Sequence, residues 1–226
     1  MTGTALSPAL AWKQDAKFKN WAGNFEFSTD KLYYPETVEA AREFIKKTPR
    51  VKALGTRHCF NRIADSKDQL ISSEKLNIPI ALDKEANTIT APATIKYGQL
   101  CPYLHENGYA LHNLASLPHI SVTGACATAT HGSGDKNGNL STAVSAIEFI
   151  SADGELVTLS KKQDAEKFNG TVVGLGTLGL VTKITLNVQP TFLMKCSGKA
   201  ESGSAEDVSV AEGEVFREFL SSGSCW

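Results

Sequence analysis

Apolar positions recur along the chain with two periods, and the switches between them mark out its elements. Lys31-Leu-Tyr-Tyr34 reads as a strand, with Pro35 at the first position of a helix. Val38, Ala41, Phe44 and Ile45 then share one helical face, and Lys46 and Lys47 complete the last turn. Val51 to Leu54 returns as a short strand that ends at Gly55. This βαβ-like start puts the loop after Gly55 at the carboxyl end of a strand, the edge that ligands of open α/β sheets favour.

Ile78 to Leu82 and Thr88 to Ala91 flank Asp83-Lys-Glu-Ala-Asn87 and predict a hairpin. Tyr97, Leu100, Cys101, Leu104 and His105 line one face of a helix ended by Asn107-Gly108. A turn follows at Asp135 to Asn139, and a second hairpin joins Ala146–Ser151 to Glu155–Leu159 through Ala152-Asp-Gly154. A short helix near Asp164 to Phe168 leads to the glycine-rich run Thr171–Thr182, and Leu180 to Val188 is the last strand. Gly174-x-Gly176-x-x-Gly179 matches the dinucleotide fingerprint by letter only. That motif leaves a strand and opens a helix, whereas here a β-branched strand follows the glycines directly.

Two stretches carry chemistry. Gly55-Thr-Arg-His-Cys-Phe-Asn-Arg-Ile-Ala64 is a polar loop with one histidine, opened by a glycine that lets a ligand approach the backbone. Backbone N–H groups around such a bend make an anion-binding concavity, and a neutral His58 is a nucleophile. From Thr123 to Thr130 every side chain is small, which lets the backbone lie against a large planar or extended ligand. A close-packed helix or strand is the alternative, and the following His131-Gly-Ser-Gly134 makes a poor core element. His119 and His131 both have a structural reading, as imidazoles bonded to backbone carbonyls. That reading is preferred for His119 and cofactor contact for His131. His105 and His112 read as surface or helix-face residues, and no histidine set has metal-ligand spacing.

Together Leu54–Ala64, Ala115-Ser-Leu-Pro-His-Ile-Ser-Val-Thr-Gly124 and Thr128-Ala-Thr-His-Gly-Ser-Gly134 resemble the FAD domain of alditol (xylitol) oxidases. These belong to the vanillyl-alcohol oxidase/p-cresol methylhydroxylase superfamily of flavoproteins. The resemblance runs from about Asn20 to about Pro190. A more distant likeness, through the Gly-x-x-His and Thr-His-Gly signatures, is to gulonolactone and arabinonolactone oxidases. The resemblance implies an α+β fold, a PCMH-type FAD-binding domain over residues 20–192 with subdomains at about 25–85 and 86–192. It implies FAD tethered covalently through His58. It also places Gly55, Thr56, Arg57, His58, Cys59, Ser116, Ser121, Gly124, Thr128, Ala129, Thr130, His131 and Val181 on the cofactor. Ser116 is implied as catalytic, near the substrate hydroxyl. Arg57 stands where some relatives carry glycine, and Cys59 where serine is more usual.

The activity so implied is oxidation of a primary alcohol of a polyol. Hydride passes to the flavin, and O2 re-oxidises it to give H2O2. An aldonolactone oxidase acting on a sugar lactone is the alternative, and so is a truncated product that binds flavin weakly or not at all. The last rests on the abrupt change of composition at Cys196-Ser197. Residues 1–19 read as a flexible lead and 193–226 as a low-complexity tail, with Val215–Leu220 apolar but too short for a domain. The family's substrate domain is expected to be absent from the chain.

Composition narrows the rest. The 226 residues are 42% hydrophobic and 21% charged with a net charge of −1, which gives no bulk electrostatic drive toward nucleic acid. Five cysteines without paired spacing suit a reducing compartment rather than a disulfide framework. No run reaches the roughly 18 apolar residues of a membrane span, and the N-terminus has no leader pattern, so no transmembrane segment is expected and a cytoplasmic location is. The two sequons at Asn139 and Asn169 then read as chance matches. Oligomeric state leaves no trace in the sequence.

Overall fold

The computed structural model describes residues 18–193. Nearly all of the expected lead and tail, including Val215–Leu220, lies outside the described residues.

The first layer is built from β1 (Leu32–Tyr33), α1 (Val38–Lys47), β2 (Val51–Ala53) and β3 (Gln69–Ile71). Its strands run parallel in the order β1-β3-β2, so β1 and β2 are not neighbours: β3 lies between them, pairing Leu70 with both Leu32 and Lys52. Leu70 and Ile71 are fully buried there. The helix begins later than Pro35. The Thr37 side chain accepts the Ala40 N–H at 3.1 Å and caps it, and Pro35 is buried two residues earlier. The apolar face is the expected one. Ala41 and Ile45 are buried, with Val38 and Phe44 packed beside them.

The second layer holds β4 (Ala81–Asp83), β5 (Thr88–Pro92), α2 (Tyr97–Glu106), β6 (Tyr109–Ala110) and α3 (Val122–Ala127). It continues through β7 (Val144–Ile150), β8 (Leu156–Ser160), α4 (Ala165–Val172), β9 (Leu180–Asn187) and β10 (Gln189–Pro190). Five strands form an antiparallel sheet in the order β4-β5-β9-β7-β8, while β6 and β10 make a separate ribbon. The β4–β5 hairpin belongs wholly to this sheet, so the division between the sheets falls between Ile71 and Ala81 rather than inside the hairpin. Asp83 Oδ1 closes its turn by accepting the Glu85 and Ala86 N–H groups.

Along β9, Leu180, Thr182, Ile184 and Leu186 alternate inward, as a half-buried strand requires. Thr182 is fully buried yet satisfied, donating to Glu148 Oε1 at 2.6 Å, and the same carboxylate pairs with Lys183 Nζ at 3.0 Å. The principal core joins this sheet to α2, α3 and α4 through Leu100, Leu104, Val122 and Phe168. His105 does not belong to the buried face of α2; it is exposed at the stripe's edge. A second cluster of Ala41, Ile45, Ile71, Ile150 and Leu180 joins the two sheets. Arg42 ties the layers again, donating to the Gly154 carbonyl at 2.8 Å. No helix among the described residues is long and apolar enough to cross a membrane.

Candidate functional site

The loop after β2 leaves the carboxyl edge of the first sheet and turns through Arg57, a non-glycine residue at φ +62°. What holds it there is a strap, residues 18–27, laid across its outer side. The Trp21 N–H donates to the Arg57 carbonyl at 2.8 Å, Asn20 Nδ2 to the Cys59 carbonyl at 2.9 Å, and Asn24 Nδ2 to the Phe60 carbonyl at 3.1 Å. The Arg57 side chain returns to the strap, stacking over Phe18 at 5.1 Å. Three carbonyls of the loop are thus consumed. Among the described residues the backbone N–H groups of Gly55, Thr56, Arg57, His58 and Phe60 donate to no protein acceptor. Amides left free in this way can line a binding concavity for an anion.

The loop lines a cavity of about 380 Å³ between the two sheets. Its opposite wall is α3 and the residues before it, and its floor is β9 with the glycine-rich turn. The small-residue run is therefore partly the close-packed helix that the sequence reading disfavoured. Val122, Ala125 and Cys126 are buried, and the stretch from Thr123 to Thr128 lines the cavity. Gly124 lines the cavity, and a Cβ added there would sit 2.7 Å from Ser121 Oγ, which would have to shift. The Thr123 hydroxyl is buried on this wall without a hydrogen-bond partner. Gly174, Leu175, Gly176, Leu178 and Gly179 form the turn before β9, and the Leu175 N–H is anchored to the Ala127 carbonyl at 3.1 Å. No helix follows these glycines; β9 does.

Of the residues singled out from the sequence, the structure brings Gly55, Thr56, Arg57, His58, Cys59, Ser116, Ser121, Gly124, Thr128, Thr130 and Val181 onto this one cavity. Ala129 and His131 do not line it. Ala129 turns the chain at φ +52°, and His131 is exposed with Nδ1 3.0 Å from the Gly132 carbonyl.

His58 sits at the mouth. Its Nδ1 is 3.2 Å from Thr56 Oγ1, which also accepts the Ser121 N–H at 3.2 Å. One hydroxyl thereby links the histidine loop to the start of α3. Burial pushes the His58 imidazole below its ordinary pKa and the adjacent His119 adds to this; Thr56 opposes through its backbone, while Lys96 and Arg57 again act downward. The neutral ring is favoured. Trp21, which carried no signal of its own in the sequence, stacks on His58 with centroids 4.8 Å apart, and His119, read from the sequence as structural, lies 4.7 Å away. The expectation that His119 bonds a backbone carbonyl does not describe its Nε2, which is buried without a partner. Nearby thiols are quiet, since burial pushes Cys126 and Cys101 up to about 12.

An apolar slot with unpaired amides at one end, a neutral imidazole at its mouth and glycines along its walls fits a planar ring system carrying a phosphate chain. Comparison with known proteins agrees. Residues 30–160 match the family model described as FAD binding domain. The chain is 37% identical to the alditol oxidase of Streptomyces sp. (strain IKD472 / FERM P-14339) over 176 residues, covering 76% of this chain and 42% of that protein. It is 33% identical to the L-gulonolactone oxidase of Mus musculus over 180 residues, 78% of this chain and 41% of the relative. With the D-arabinono-1,4-lactone oxidase of Kluyveromyces lactis the figure is 28% over 186 residues, 79% and 35%. The chain spans about two fifths of the length of the first two relatives.

Proposed function

The chain belongs to the FAD binding domain family, and from that premise we propose that it is the cofactor-holding part of an oxidase that binds FAD covalently through His58. The observation that carries this reading is the His58 loop. Its carbonyls are held outward by the strap, its amides are unpaired, and its one imidazole is biased toward the neutral, nucleophilic form. Gly55 to Cys59 would take the pyrophosphate and the flavin edge. Ser121, Gly124, Thr128 and Thr130 would take the opposite side, with Val181 on the floor, and Ser116 would lie near the substrate hydroxyl. The placing of Ala129 and His131 on the cofactor is supported by the resemblance alone.

Bound FAD supplies a hydride acceptor that O2 re-oxidises to H2O2, and a methyl carbon that bonds an imidazole nitrogen as carbon and imidazole each lose a proton and two electrons pass through the ring to O2. The protein's share is to hold His58 neutral, to exclude water with the apolar walls, and to give the phosphates donors. The proposed substrate is a primary alcohol of a polyol, supported by the 37% identity to an alditol oxidase. A sugar lactone is the second reading, supported by the likeness to L-gulonolactone oxidase. A flavin-binding piece without turnover is the third.

The test is direct. Residues 1–226 are expressed, denatured in acid, and measured for absorbance and intact mass. A flavin-sized mass increment that disappears in His58→Ala supports the attachment; colourless wild-type protein removes it. Peroxide formed from a polyol rather than from a lactone, or the reverse, separates the first two readings, and acid-stable flavin with neither supports the third.

A further inference from the structure

Attachment at His58 does not by itself account for the two rings packed on it. Trp21, His58 and His119 each touch the other two, with centroids 4.8, 5.2 and 4.7 Å apart. Nε2 of His58 and Nε2 of His119 are both buried without a hydrogen-bond partner. A ring nitrogen sealed in this way is closed to a ligand, whereas Nδ1 of His58 has the Thr56 hydroxyl 3.2 Å away. The same hydroxyl accepts the Ser121 N–H at 3.2 Å, which fixes where it stands beside Nδ1. His119 is not loosely placed. The chain on either side of it is pinned to the start of α2, where the Gly98 N–H donates to the Pro118 carbonyl at 2.7 Å and the Tyr97 N–H to the Ile120 carbonyl at 3.3 Å.

We propose that His119 is a positioning residue for His58: with Trp21 it seals Nε2 and fixes the ring plane, so that Nδ1 alone is offered to the flavin. This rests on the reading of His58 as the attachment site. His119 has a second effect through charge. The titratable groups that act on His58 are His119, Lys96 and Arg57, all cationic when charged, and none is a carboxylate. Together with burial, which acts first, they favour the neutral ring at His58.

The experiment compares wild type, His119→Phe and His119→Ala, each loaded with FAD and digested, with the linkage nitrogen read by NMR of the flavin peptide. The expected result is a single Nδ1 isomer in wild type and in His119→Phe. In His119→Ala, attachment slows by about tenfold or more as the ring loses its fixed orientation, and an Nε2 isomer appears. The phenylalanine variant keeps the cover but removes a group that acts downward on His58, so its attachment weakens more than that of wild type as pH falls. In parallel, nitrogen-15 shifts of His58 in flavin-free chain report its tautomer and titration. His119→Phe is expected to move that titration upward. A wild-type rate and a single Nδ1 isomer in His119→Ala, an Nε2 link in wild type, or an identical His58 titration in His119→Phe each overturns the proposal. Loss of acid-stable flavin from wild type would remove the attachment reading instead, and the flavin-free titration would still decide whether His119 acts on His58.

Discussion

Trp21 holds Arg57 by backbone alone: its N–H meets the Arg57 carbonyl at 2.8 Å while its indole stacks on the next residue, His58. The two contacts turn the loop's carbonyls toward the strap and its histidine toward the cavity mouth. Asn20 does the same work one step further on, and it is buried, so its loss strands the Cys59 carbonyl. Asn20→Ala should cost about 1–3 kcal/mol, the usual penalty of an abandoned buried partner, and should weaken flavin loading as well. Asn24→Ala removes an exposed bond to the Phe60 carbonyl and the one its Oδ1 accepts from Asn20, but leaves the Cys59 carbonyl paired, so it should cost less. Thermal unfolding and the flavin content of purified protein check the order; equal effects would mean the strap does not shape the loop.

Arg57 occupies a position that suits glycine. At φ +62° a non-glycine residue carries about 1–2 kcal/mol of backbone strain. The exposed contact of its guanidinium with Phe18 returns about 0.5–1 kcal/mol. Arg57→Gly should therefore lie within about 1 kcal/mol of wild type. Arg57→Val keeps the strain, adds branching and loses the stacking, and should be clearly destabilised. Denaturant midpoints of the two variants test this, and a glycine variant as unstable as the valine one would show that the side chain, not φ, governs the loop.

Where apolar residues were regular, the sequence was legible. The α1 face, both hairpins and β9 follow from spacing, because each buries one side of a periodic element. β3 was missed since Gln69-Leu-Ile71 is too short to show a period, and its strand character comes from the neighbours it bridges. α3 was misjudged because small residues suit a helix against a ligand as well as an extended backbone. The loop histidine was visible from the glycine before it and the motif around it. The contacts of Trp21 and His119 with it were not, because they exist only where segments distant in the chain meet at His58.

The glycines of the cavity differ in what they guard. A Cβ at Gly179 would collide with the Ile150 carbonyl, and φ there is +148°, which only glycine adopts freely. Gly179→Ala should therefore damage the β7–β9 pairing by several kcal/mol, with no soluble or a molten product, since both backbone and sheet must shift. At Gly124 the added carbon meets only the Ser121 hydroxyl, at 2.7 Å. Gly124→Ala should fold nearly as wild type while narrowing the slot, so its loss appears in flavin loading. Circular dichroism and flavin absorbance separate the two, and normal loading in folded Gly124→Ala would remove that wall from the cofactor site.

Acid should unfold the flavin-free chain in two separable stages. Burial, then His119, depress the folded-state pKa of His58 below that of the unfolded chain. Between the two values the unfolded state binds more protons, so the neutral ring's contribution is complete above the unfolded value near 6.5 and is lost as pH falls through the folded one. Asp65 behaves likewise but lower. Burial works upward on its carboxyl, yet the Ser28 N–H at 2.8 Å, the Ser28 hydroxyl at 2.7 Å and Arg62 at 2.6 Å outweigh it and hold it below the ordinary carboxylate value. Its contribution persists through the histidine window and disappears only below the usual range of aspartate. Urea midpoints measured as pH falls should therefore drop first around pH 6 and again below about pH 4. His58→Asn should abolish the first drop alone, and Asp65→Asn the second alone. A first drop that survives in His58→Asn would assign it to another group and leave the neutral state of the proposed nucleophile without support in stability.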